Sequence, residues 1–266
     1  MNRIALHQST VHPADPIELV GIAEAAGLDS VGLHVAAVDE AQQWWSRGVG
    51  SPMLHALIPA LLRSRITVLD VGRVALGPEL RVLDVLDDEH PYLRVLELGV
   101  RLGAQFVTTR AVPGHDVETR ELFGRLAELA DRYRLRPLIT VVPGGPVRTL
   151  DQARTVIAGT GGGLVLDVSP RRHTATDVEQ LVVELGRELG YVRVPATELA
   201  TGGAPGLLAT LPAEIPVAIG AATTSTATTS TAGDAGSAAP AGDVVSRVGA
   251  LRAAVDAMLR HPSAAR

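Results

Sequence analysis

Charged and imidazole side chains recur at the ends of short β-rich runs in this chain. His7 closes Arg3 to His7, His34 closes Ser30 to His34, Asp70 closes Ile66 to Asp70, Arg110 closes Gln105 to Arg110, and Asp167 closes Gly163 to Asp167. Thr140 and Arg193 sit near the ends of Pro137 to Val141 and Tyr191 to Pro195. Side chains alternate along a strand, so each residue can be aimed from its apolar neighbours. With Ile4 and Leu6 facing out, His7 faces in; with Val31 and Leu33 out, His34 faces in. The same logic turns Thr140, Asp167 and Arg193 inward. Imidazoles can pass protons near neutrality, and a guanidinium can hold a carboxylate bidentately or stabilise a developing oxyanion. His7, His34, Asp167 and Arg193 are therefore the candidate catalytic residues. Asp70, Arg73, Arg110 and Thr140 are candidate substrate contacts, joined by Trp44 and Trp45, which could form an apolar wall. Each also has a plainer reading. A strand-end histidine can simply be hydrogen-bonded, Asp70 and Arg110 can neutralise each other, and the tryptophans can be a hydrophobic plug.

The elements that must position these groups follow a regular order. With Ile215 to Gly220 the β-rich runs number eight, and helical patterns lie between them. Pro16 to Ala26 carries an apolar stripe that stops at Gly27, Val117 to Tyr133 repeats Leu122, Leu126 and Leu129, and Asp243 is the expected N-cap of a last helix. Strands alternating with helices predict one parallel (β/α)8 TIM barrel spanning residues 1–266, a usual size for that fold. Residues 221–242, AATTSTATTSTAGDAGSAAPAG, have no large apolar side chain to offset the entropy of ordering, which predicts a flexible low-complexity loop between strand eight and the last helix. Its place after strand eight makes a lid the alternative to an unstructured insertion.

Composition removes several classes of chemistry. There is no lysine, which excludes a Schiff-base aldolase or a lysine base, and no cysteine, which excludes thiolate nucleophiles and Cys-bound zinc. A net charge of −5 offers no basic field, so nucleic acid is not an expected partner. MNRIALHQST lacks the basic start and apolar run of a signal peptide, and no long apolar segment is present. The expectation is a soluble cytoplasmic protein with a small-molecule substrate and no membrane partner; a homodimer is compatible with the sequence.

The stretch from Arg136 to His173 and the pieces EAAGLDSVGL, LGAQFVTTR, PVRTLDQA and GLVLDV carry a likeness at the level of order and spacing. In these the chain resembles the xylose-isomerase-like TIM barrels, the sugar phosphate isomerase/epimerase superfamily. The resemblance implies metal ligands at strand ends, and here most of those positions are changed. Thr140 stands where a Glu is usual, Asp167 is kept, Pro170 takes the place of a His, Arg193 that of His or Gln, Ala196 that of Asp, and Gly220 that of the closing Glu.

A retained Asp without its cation would be costly to bury, and Arg193 on the neighbouring strand could neutralise it. Arg193 then either replaces the metal as a fixed electrophile or forms a structural ion pair left after loss of activity. The leading expectation is a divergent isomerase, epimerase or lyase that acts on a small carbonyl or carboxylate metabolite, with no metal or other cofactor. The alternative is a non-catalytic ligand- or partner-binding pseudoenzyme of the same fold. A third reading is a relocated metal site of His7, His34 and Asp167.

Overall fold

The computed structural model describes residues 3–11, 14–35, 51–81, 90–113, 118–201, 204–221 and 241–260. Its strands are β1 (Ile4–His7), β2 (Ser30–His34), β3 (Thr67–Leu76), β4 (Phe106–Ala111), β5 (Arg136–Thr140), β6 (Gly163–Asp167), β7 (Leu189–Pro195) and β8 (Val217–Gly220). Each pairs in parallel with the next, and β8 returns to β1, closing the barrel. Around it lie α1 (Pro16–Ala25), α2 (Pro52–Ser64), α3 (Pro91–Leu102), α4 (Thr119–Arg132), α5 (Leu150–Ile157), α6 (Ala175–Leu185), α7 (Ala196–Leu199) and α8 (Ala241–Leu259). The fold is a single (β/α)8 barrel, as the alternation predicts.

Local chemistry sets the helix ends. Asp15 accepts hydrogen bonds from the backbone of Ile17 and Glu18 while Glu18 reaches back to the Asp15 backbone, a capping box strengthened by Pro16 at the first helical position. Gly27, just past α1, takes a φ of 70°, a conformation open to glycine at little cost. One end differs from expectation. α8 begins at Ala241, so Asp243 lies in the first turn instead of capping it, where its charge still complements the helix dipole. Val248, Leu251, Val255 and Met258 of that helix are buried in the core, and Val244 packs against it partly buried. Residues 222–240 of the low-complexity stretch, and Trp44 and Trp45, lie outside the described residues. No helix among the described residues is long and apolar enough to cross a membrane.

Alternation divides the apolar side chains into two bodies. Ile4, Leu6, Val31, Leu33, Leu164, Leu166, Val192 and Val194 pack outward against the helices. Ala5, Leu69, Phe106, Leu138, Val165, Tyr191 and Ala218 form a separate cluster inside the barrel. Two residues further along the same strands come His7, Thr108, Thr140, Asp167, Arg193 and Gly220. The sequence thus stacks a polar layer on an apolar floor, at the end of the barrel where loops and helices follow the strands.

β3 departs from this order. It runs through Leu76, so Asp70 lies in mid-strand and Arg73 within it, whereas the sequence places the strand end at Asp70 and Arg73 beyond. Its register slips against β2, where Val31 and Gly32 pair with Val68 and Asp70, and again against β4, where Thr108 and Thr109 pair with Gly72 and Val74. Each slip inserts one extra residue, as a β-bulge does. The first lets Leu69 join the inner apolar cluster while its neighbour Asp70 also turns inward. The second releases Arg73 from the ladder.

Candidate functional site

Asp70 organises the mouth. Thr108 Oγ1 donates to Asp70 Oδ2 at 2.8 Å, and the Tyr191 hydroxyl donates to the same oxygen at 3.3 Å. His7 Nε2 lies 3.2 Å from Asp70 Oδ1 and 3.4 Å from the Tyr191 hydroxyl, with the two rings edge to face. Oδ1 makes no directed hydrogen bond, so its contact with His7 is chiefly electrostatic. Burial alone would raise the Asp70 carboxyl; the His7 charge and the Thr108 hydrogen bond outweigh it and hold the group below its ordinary value. Burial, then the neighbouring Asp70 charge, pushes the Tyr191 phenol well up, so it remains a neutral donor.

Space for this cluster comes from a missing side chain. A Cβ on Gly32 of β2 would fall inside contact distance of both the His7 ring and Asp70 Oδ1. Above the cluster opens a cleft lined by His7, Gln8, His34, Asp70 and Arg73, all from the β1 to β3 side of the mouth. His34 is mostly buried there. Burial first, then the charges of Arg73, His7 and Arg110 against that of Asp70, lowers its pKa to about 4. His34 is therefore neutral at physiological pH and a poor proton donor, which distinguishes it from the sequence reading that treated both histidines alike.

The second expected pair forms on adjacent strands. Asp167 and Arg193 are register partners on β6 and β7, and Arg193 donates through Nε at 2.6 Å and Nη2 at 2.7 Å to the two carboxylate oxygens. Burial would lower the Arg193 pKa, and the Asp167 charge more than reverses it. Only 4% of the Arg193 side chain is exposed, against 30% for Asp167. The guanidinium is thus set into the wall, and direct contact with a substrate carbonyl, which the sequence leaves open, is not what this burial favours. Gly220 makes the arrangement feasible, because a Cβ there would lie 2.7 Å from Arg193 Cδ and 3.0 Å from its Cγ.

The remaining candidates separate. Arg110 is exposed on β4 above Thr108. It forms no ion pair with Asp70, whose partners are His7, Thr108 and Tyr191. Thr140 is buried and donates its hydroxyl to the Thr109 carbonyl at 2.8 Å, so a structural bond uses the group expected to meet substrate. Tyr191 and Thr108 were not singled out by the sequence reading, although the period that aims Arg193 inward also aims Tyr191, and the inward Phe106 leads two residues on to Thr108.

The side chains at the metal-ligand positions implied by the resemblance do not fit a divalent cation. Thr140 is committed to backbone, both Asp167 oxygens receive Arg193, and Gly220 supplies no ligand. The relocated site of His7, His34 and Asp167 does not form either. Asp167 is held by the guanidinium, and among the described residues no group of three or more His, Asp or Glu side chains is arranged to hold a metal ion.

The lowered His34 pKa has a consequence for stability. A histidine that binds its proton less readily folded than unfolded contributes fully above pH 6.5, and that contribution is lost as pH falls from 6.5 towards about 4. The groups facing it are His7 from β1, Asp70 and Arg73 from β3, and Arg110 from β4. Urea unfolding across this window should show a decline of up to about 3 kcal/mol that His34→Gln largely removes. Asp70, whose pKa is depressed, loses its contribution at lower pH, below the ordinary 3.8. An unchanged slope in His34→Gln would show that His34 is not the group responsible.

Several solved structures share this architecture. The IolI protein with a bound zinc atom aligns with a TM-score of 0.64 at 14% identity, covering 99% of this chain and 100% of that one. A xylose isomerase domain-containing protein from Salmonella typhimurium LT2 aligns at 0.62 and 13% identity, covering 97% and 98%. D-allulose 3-epimerase from Methylomonas sp., in complex with D-allulose, aligns at 0.56 and 14% identity, covering 82% and 84%. No family model matches the sequence, and neither does any curated protein. At these identities the likeness shows the (β/α)8 fold alone.

Proposed function

We propose that this barrel is a metal-independent isomerase, epimerase or lyase that moves a proton at a carbon next to the carbonyl of a small carbonyl or carboxylate metabolite. The observation that carries the reading is the His7–Asp70 dyad, buttressed by Tyr191 and Thr108 and open to a cleft. Asp70 faces Nε2, which favours the proton on that nitrogen and leaves Nδ1 as the basic atom. A Cβ on Gly220 would lie 3.7 Å from this Nδ1, so the nitrogen taken here as the base lies towards β8. His7 Nδ1 takes the substrate's C–H proton, the electron pair moves onto the carbonyl oxygen as an enolate, and the imidazolium returns the proton to carbon or oxygen. Buried Arg193, paired with Asp167, adds the fixed dipole of an ion pair to the wall without touching the substrate.

The likeness in fold to an epimerase is consistent with this chemistry, and the misfit of the implied ligand positions supports a route without metal. A second reading is a ligand-binding pseudoenzyme. It draws on the Asp167–Arg193 pair, whose mutual saturation resembles a structural plug. The two separate in deuterium oxide, where small 2-hydroxy and 2-keto compounds can be screened by NMR for hydrogen exchange at the carbon next to the carbonyl. We expect exchange that persists in chelator and falls about a hundredfold or more in His7→Gln. Exchange abolished by chelator would overturn the metal-free route, and the absence of exchange with any compound would favour the pseudoenzyme.

A further inference from the structure

Charge around the mouth is unevenly matched. Arg193 is held by Asp167, and Asp70 by His7, Thr108 and Tyr191. Arg73 and Arg110 form no salt bridge with any carboxylate among the described residues. The mismatch is sharpest at Arg73. Among the described residues its Nε is buried without a hydrogen-bond partner, and Arg73 lines the cleft. A buried donor left unmatched is costly, and a guanidinium is more so, because its charge cannot be relieved by losing a proton at ordinary pH. Burial first, then repulsion from Arg193 and Arg110, already lowers the Arg73 pKa. The β3 bulge keeps this side chain out of the ladder and delivers it to the cleft, beside neutral His34. Among the described residues no carboxylate pairs with Arg73, whereas a ligand's negative group in the cleft would balance the excess cations.

We propose that Arg73, supported by Arg110 and lining the cleft beside His34, is the subsite for an oxyanion at one end of the ligand, a carboxylate or a phosphate. The proposal rests on taking this mouth as the ligand site, and it names the part of the molecule that is recognised first. The two terminal amino groups of Arg73 are the donors left for an oxyanion in the cleft, and such a bond is charge-assisted. Arg110, more exposed, contributes mainly to attraction and encounter. A carbonyl carbon adjacent to that oxyanion would then lie over the His7 side of the same cleft.

The test uses the full chain with arginine side chains labelled by nitrogen-15. Glycolate and inorganic phosphate are the probes, and glycerol is the neutral control. The Nε–H signal of Arg73, identified by its loss in Arg73→Lys, should move saturably with at least one anion and not with glycerol. Calorimetric affinity for that anion should fall about tenfold or more in Arg73→Met, the effect of losing one charge-assisted hydrogen bond. Preference for glycolate would assign a carboxylate end and preference for phosphate a phosphorylated one. If the Arg73 signal responds to neither anion, or Arg73→Met binds like the parent, the subsite is overturned. Failure of the proton-transfer reading looks different: anions would still bind at Arg73 while no compound exchanges hydrogen.

Discussion

Asp167→Asn should destabilise the barrel by about 3 kcal/mol or more, whereas Arg193→Met should cost only about half as much. The difference follows from which partner is buried. Removing the carboxylate's charge takes the bidentate counter-charge from a guanidinium that is 4% exposed and cannot neutralise itself by losing a proton. Removing the guanidinium leaves a carboxylate that is 30% exposed, which water can reach and which can take up a proton, while methionine refills much of the aliphatic volume. The double variant should be close to Arg193→Met alone, because the charge that asparagine leaves unmatched is then absent. Urea midpoints for the four proteins form a complete double-mutant cycle. Losses that simply add, or an Asp167→Asn cost below that of Arg193→Met, would show that the pair is not a buried guanidinium held by one carboxylate.

Gly32→Ala is expected to destabilise by about 2 to 3 kcal/mol, a large penalty for one methyl group, and to uncouple His7 from Asp70. The added carbon would press on both groups at once, and neither can withdraw. His7 is bounded by Tyr191, and Asp70 is fixed through Thr108. Gly21→Ala in α1 is the internal control. Nothing lies within 4 Å of its Cβ position, so the same methyl should stabilise by up to about 1 kcal/mol through helix propensity. Thermal unfolding of the two variants should therefore shift in opposite directions. If Gly32→Ala unfolds like the parent, the His7–Asp70 contact is looser than the packing indicates.

What could be read from the residues beforehand depends on how regularly each strand alternates. RIALH, SVGLH, GLVLD and YVRVP keep an unbroken period, and His7, His34, Asp167 and Arg193 all turn inward as their neighbours require. β3 differs from the sequence expectation because LDVGRVAL does not keep a period of two. Its bulges put Leu69 and Asp70 inward together and carry Arg73 into the site, so counting from apolar neighbours loses step. Gly72 was the available sign, since an isolated glycine within a strand often marks a bulge or a close approach. Tyr191 and Thr108 were passed over for another reason. In YVRVP and FVTTR they look like ordinary strand formers, and only the depth of Asp70 gives their hydroxyls a task. The exchange of ligand positions was legible as residue types, but the role of Gly220 as room for the Arg193 stem needed coordinates.

That room also fixes the order in which this mouth could be rebuilt. A carboxylate placed at position 220 meets the Arg193 stem at its first carbon, so the change is harmful while the arginine is present and becomes tolerable only after a shorter side chain replaces it. The same substitution is thus harmful in one background and tolerated in the other. Position 193 can therefore change first and position 220 only after it, so a library that varies position 220 alone will find it intolerant of any side chain.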